Sequence, residues 1–157
     1  MGSTSLGLSI ALCFNRLPED YFNSLSLDQW LEIYNDKNVP LGHKLKNLAA
    51  EKAVEVAQTL EDWAKLYNRL PSKSHIAQKK ISEMKLSFEQ CLWLNDNSCF
   101  GSTTKDLSLR RMSELAETLE QWIEVQKRAF SGTKIEQYAF GKLLELSSSI
   151  LISQSTP

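Results

Sequence analysis

The side chains best suited to acid–base, nucleophilic or metal chemistry at neutral pH are two histidines, His43 and His75, and three cysteines, Cys13, Cys91 and Cys99. Each chemistry needs partners at a set spacing. Di-iron carboxylate bundles use Glu-x-x-His on two helices so that carboxylate and imidazole project together; neither histidine here has a Glu three residues before it. Zinc sites want Cys or His pairs two to four residues apart, whereas Cys91 and Cys99 are eight apart with no His nearby. The six glycines form no phosphate-cradling G-x-G-x-x-G or G-x-x-x-x-G-K-[ST] run and no G-x-S-x-G elbow. The sequence therefore predicts no catalytic residue, no cofactor and no metal.

His43 and His75 are expected on the opening turns of two helices as partly exposed polar residues. Cys91 is expected inward as a small apolar core residue. Cys99 falls in a polar loop, where only Lys105 is near enough in sequence to lower its pKa. An odd cysteine count without a C-x-x-C pair favours a reduced, cytoplasmic chain over a disulfide framework. The apolar run Leu6 to Phe14 has no basic residue before it and no A-x-A site after it, and it is too short to span a bilayer. Met1-Gly2 begins a myristoylation motif that Leu6 breaks, since Ser or Thr is required there.

The elements that would carry these residues are helical. Leu outnumbers Val by 24 to 4, and unbranched Leu keeps more rotamer freedom on a helix than Val does. The predicted fold is all-α: an antiparallel four-helix bundle of two similar helical hairpins, preceded by a short helix and an N-terminal strand-like segment. Residues 1–25 form an arm, 26–152 the bundle and 153–157 a disordered tail. Leu6, Leu8, Ile10, Leu12 and Phe14 alternate with smaller residues at period two, which predicts a strand. Leu8 and Leu12 also stand four apart, as a helix would place them. A strand needs a pairing partner, found either in Ile150-Leu151-Ile152 or in another chain.

Ser26-Leu27-Asp28-Gln29 is a capping-box pattern, so a short helix with Leu27, Trp30, Leu31 and Tyr34 on one face should follow Ser26. Longer helices are expected from about Leu41 to Asn68, from Ser72 or Ser74 to Asn95, from Asp106 to Ala129, and onward from a second capping box at Thr133 to Glu136. Apolar residues recur along them every three or four positions. Trp63 and Trp122 are expected inward at equivalent depths, and Ile123, Leu115 and Tyr138 inward as well.

Sliding the chain by 59 residues places Ala57-Gln58-Thr59-Leu60-Glu61-Asp62-Trp63 on Ala116-Glu117-Thr118-Leu119-Glu120-Gln121-Trp122 with five identities in seven. Ser26 to Trp30 echoes the pattern a third time. Duplication of a hairpin explains this, as does convergence on one amphipathic pattern. The small residues and Pro of a tetratricopeptide array are missing at their fixed offsets.

Net charge is −1 at pH 7, which excludes a histone-like or membrane-surface binder. Residues 64–85 nevertheless hold a local excess of +5. At about 100° per residue, Lys79, Ser82, Leu86, Gln90 and Trp93 line up on the side of the third helix away from Ala77, Ile81 and Met84.

Two functions follow. The first is a non-enzymatic interaction module or small scaffold subunit, with a protein partner or a second copy docking on Leu8, Ile10, Leu12, Phe14, Leu27, Trp30, Leu31 and Tyr34. The second is a helical subunit of a ribonucleoprotein that contacts RNA or single-stranded DNA through Lys73, Lys79, Lys80 and Trp93. It is comparable in size and helicity with the small subunits of CRISPR surveillance complexes, an analogy of architecture that rests on no motif. A membrane is expected in neither.

Overall fold

Four hydroxyl residues, Ser26, Thr59, Ser87 and Thr118, punctuate the chain at intervals of roughly 30 residues. Each opens a helix by the same device. Its side chain accepts the backbone N–H three residues on, and that third residue (Gln29, Asp62, Gln90 or Gln121) accepts the cap's own N–H in return. The computed structural model describes residues 4–40, 42–99 and 101–155. Among them the α-helices are α1 (Leu6–Leu12), α2 (Glu19–Asn23), α3 (Leu27–Asn35), α4 (Lys44–Val56), α5 (Leu60–Arg69), α6 (Ser74–Glu83), α7 (Phe88–Asp96), α8 (Thr103–Leu115), α9 (Leu119–Arg128) and α10 (Lys134–Ser155), with no strand. The Met1-Gly2 pair, the expected helix start at Leu41 and the last two residues of the expected tail lie outside the described residues.

The chain divides into two units, Met1–Glu83 and Met84–Pro157. The first packs hairpin α3–α4 with hairpin α5–α6, and the second packs hairpin α7–α8 with hairpin α9–α10. The all-α class and the hairpin packing expected from the sequence hold. The shared register extends beyond one hairpin pair: all four hairpins follow it. The fourth residue after each cap is buried (Trp30, Trp63, Cys91, Trp122), as is the seventh (Ile33, Leu66, Leu94, Val125). In the second helix of each hairpin a small residue is fully buried: Ala49, Ala77, Ser108 and Ala139. Small side chains there let the paired helices approach closely. A basic residue stands three places later (Lys52, Lys80, Arg111, Lys142) and a Glu six places later (Glu55, Glu83, Glu114, Glu145). Lys52 lies 2.9 Å from Glu55 and Lys142 3.6 Å from Glu145, pairs that support a helix locally. Lys52 is thus part of the repeat.

Three long helices expected from periodicity are each interrupted. The chain leaves the helix at Ala57 and Ala116 with extended backbone, then restarts at Thr59 and Thr118. It leaves again after Glu83 and restarts at Ser87. At the other end α10 runs on to Ser155, so residues 153–155 are helical where a disordered tail is expected.

Acid should separate two of the caps. Burial alone would raise the Asp62 carboxyl, yet hydrogen bonds from the Gln58 and Thr59 amides and the Thr59 hydroxyl hold it below its ordinary value. A depressed carboxyl contributes stability that is present above its unfolded pKa and lost as pH falls through the lowered one. The matching cap of α9 uses Gln121, which does not titrate. The amide shift of Thr59 should therefore move on acidification below the ordinary Asp range, while that of Thr118 moves far less, as two-dimensional NMR would record.

The N-terminal segment is helix α1 and not a strand. Ser5 caps it, its hydroxyl accepting the Leu8 amide at 3.2 Å, and a helix satisfies its own backbone groups without a pairing chain. It docks on α3 in its own unit and buries Ile10. Gly7 makes the close approach possible, since a Cβ there would stand 2.5 Å from an Asp36 carboxylate oxygen. The Ser5 hydroxyl lowers the Asp36 pKa; burial opposes it, and the Asn38 amide adds to it. Among the described residues no helix is long and apolar enough to cross a membrane.

Candidate interaction surface

The residues expected to dock a partner lie mostly inside the first unit. Ile10, Trp30 and Leu31 are core, and Leu8, Leu27 and Tyr34 are half-buried, the Tyr34 hydroxyl lying 3.4 Å from the Ser72 hydroxyl. Phe14 packs against Phe22 and edge-on to His43. Only Leu12 of this set is well exposed. α1 and the neighbouring helices of the same unit pack on α3, which carries Leu27, Trp30, Leu31 and Tyr34.

The basic stripe loses its premise, a continuous helix through residues 74–95. Lys79 and Lys80 belong to α6 and Trp93 to α7, with a non-helical segment at Lys85–Ser87 between. Lys79 lies 3.9 Å from Glu83. Lys73 ends a 3-10 turn before α6, half-buried.

His43 caps α4, its Nδ1 accepting the Leu45 amide at 3.0 Å, and His75 is exposed on α6. Cys91 is buried, and burial pushes its thiol up from its ordinary value. Among the described residues, no three His, Cys, Asp or Glu side chains come together as a metal cluster would need.

A different surface stands out, built on hairpin α9–α10. Trp122 and Val125 point inward from α9, and Trp122 meets the Tyr138 ring edge-on at 5.5 Å. Arg128 fixes the end of α9, pairing with Asp96 of α7 at 3.0 Å and with Glu124 of its own helix. That hydrogen bond holds the Glu124 carboxyl below its ordinary range. Gly132, at φ +82°, turns the chain in a conformation that L side chains rarely adopt. Thr133 then accepts the Glu136 amide and Glu136 accepts the Gly132 amide, which starts α10 where the capping pattern places it.

With Ala139 buried against the hairpin, the neighbouring residues face outward: Phe140 is 50% exposed and Leu144 55%. At 100° per residue, Phe140, Leu144, Ser147 and Leu151 form one stripe along α10. Ile123 and Phe130 are exposed on and after α9, and Ile150, Leu151 and Ile152 near the end of α10. Among the described residues nine exposed large apolar side chains lie in the second unit and one, Leu12, in the first. Sequence periodicity places Ile123, Leu115 and Tyr138 inward because an apolar residue on a helical face is read as core. The signal available was the absence of charge from Leu146 to Pro157, which no water-facing helix needs. Comparisons with models of protein families, with curated proteins and with solved structures give no match to this chain.

Proposed function

We propose that this chain is a non-enzymatic helical-repeat interaction module, a small cytoplasmic scaffold subunit that docks protein through the apolar face of hairpin α9–α10. The concentration of exposed apolar side chains on that hairpin carries the reading. Soluble chains seldom leave contiguous large apolar residues bare unless a partner covers them, and helical repeats commonly bind through faces that their stacking presents. The nucleic-acid alternative has less support, since the lysines and the tryptophan it invokes no longer share a helix.

Placing a photo-crosslinking phenylalanine analogue at Phe140 in the native host tests this. Irradiation should yield a covalent adduct with a protein, while the same analogue at Lys79 should yield far less. Absence of any protein adduct from position 140, or an adduct with nucleic acid in its place, would defeat the proposal.

A further inference from the structure

One arginine recurs in the register with different surroundings in each unit. Ten residues after its threonine cap, the first helix of the second hairpin in each unit ends on Arg: Arg69 in α5 and Arg128 in α9. Arg128 is neutralised within its own unit. Asp96, nine residues after the cap of α7, accepts two hydrogen bonds from its guanidinium, at 3.0 and 3.2 Å. Glu124, six residues after the cap of α9, pairs with it along the helix. The positions that match these two carboxylates around Arg69 are Asn35 and Lys65. Asn35 still reaches Arg69, but its amide nitrogen donates to the Arg69 main-chain oxygen at 3.4 Å and leaves the guanidinium charge in place. Lys65 is itself a cation, engaged by Asp28 at 3.2 Å. Arg69 is exposed, and among the described residues no ion pair includes it.

Further cations gather at the same end of the first unit. Lys37 and Lys46 line a cleft of about 550 Å³ with Tyr34, Asn35 and Asn47, and none of its lining residues is acidic. Asn35 links that cleft to Arg69, and the Tyr34 hydroxyl links it to Ser72, 3.4 Å away in the 3-10 turn that follows α5. Asp36, the carboxylate next to Lys37 in sequence, is packed against Gly7 of α1. Neither lysine belongs to an ion pair among the described residues. The first unit carries acidic and basic side chains in equal number, so the excess of cations here is a matter of placement and not of composition. We propose that Arg69, Lys37 and Lys46 form a docking site for an acidic segment of a partner protein. Its carboxylates supply from outside what Asp96 and Glu124 supply to Arg128 within the chain. The register argues for carboxylates in particular: a planar guanidinium takes a carboxylate through two parallel hydrogen bonds, and that is how Arg128 holds Asp96. The site belongs to the first unit and does not rest on the docking proposed for hairpin α9–α10.

Fluorescence anisotropy on the full chain tests the site, with a fluorescein-labelled polyglutamate peptide as probe and an oligothymidylate of equal charge as comparison. The peptide should bind more tightly than the oligonucleotide. Arg69→Gln should weaken peptide binding about tenfold. Lys80→Gln removes the same charge from α6, outside the residues that line the cleft, and should change the affinity far less. Asn35→Asp installs the carboxylate that Asp96 provides in the second unit, so it should weaken binding as Arg69→Gln does and add little in the Arg69→Gln background. Circular dichroism should be unaltered in every variant. Absence of peptide binding at submillimolar concentration, or tighter binding of the oligothymidylate, would overturn the proposal. Equal losses from Lys80→Gln and Arg69→Gln would overturn it too, because overall charge and not this site would then hold the peptide. So would full peptide binding by Asn35→Asp. None of these results bears on the crosslink from position 140, which decides the role of hairpin α9–α10 separately.

Discussion

Trp63→Ala and Trp122→Ala are each expected to lower the free energy of unfolding by about 3–5 kcal/mol. Both side chains are buried at the fourth position after a threonine cap, and Trp122 meets the Tyr138 ring of the partner helix α10. Truncation removes the transfer energy of a large ring and leaves a cavity that helices tied by caps at both ends cannot easily close. Cys91 occupies the same register in hairpin α7–α8, so the backbone conformation itself accepts a small residue there. The loss therefore measures packing and not local strain. Urea denaturation followed by circular dichroism would check it; a loss under about 1 kcal/mol for both variants would mean that the shared register does not hold the hairpins together.

Asn95→Asp should cost about 2–4 kcal/mol at neutral pH and recover on acidification. Asn95 is 1% exposed, and its amide nitrogen donates to the Lys105 carbonyl at 3.2 Å and to the Ser108 hydroxyl at 3.0 Å. A carboxylate of the same shape sets an acceptor against that carbonyl and buries a charge. Lys105 offsets part of the penalty, because its ammonium donates to the main-chain oxygen of Asn95 at 3.1 Å. A carboxyl buried in this way has its folded pKa raised above the unfolded one. The penalty is then absent below the unfolded value, grows as pH rises through it and is complete above the folded value. Melting temperature against pH gives the measurement; a variant equally destabilised at every pH would point to lost shape instead of buried charge.

Helix content and the buried tryptophans were legible because period 3.6 is the strongest signal a helical chain carries. The breaks were hidden for a related reason. From Leu48 to Tyr67 the apolar spacing runs on across Ala57 to Thr59, and neither Pro nor Gly marks the interruption. The boxes at Thr59 and Thr118 contain the information, but their caps lie inside a stripe that a continuous helix explains equally well. The third hairpin start, at Ser87, is masked by its Cys91, where the other three have Trp. In the arm, Gly7 is small because α1 packs closely there against Asp36 and Val39, whereas Ser9 is exposed, so the period-two alternation of Gly7, Ser9 and Ala11 reflects no sheet. Exposure was the least legible property of all. Phe140 and Leu109 are both apolar at one register, yet Leu109 is 8% exposed and Phe140 50%, a difference that residue type does not carry.

The four capping boxes also bear on how the chain acquires its structure. Each hairpin closes contacts between residues near in sequence, and such topologies fold quickly because little loop entropy is lost before contacts form. During synthesis, hairpin α3–α4 can begin to close once Val56 has emerged, before the residues of α5 are available to mispair with it. The cap at each start fixes which residue begins the helix, so similar repeats are kept from sliding past one another. Of the four hairpins, vectorial folding of this kind closes α9–α10 after the other three, and its exposed leucines and phenylalanine are a surface that those three do not consume.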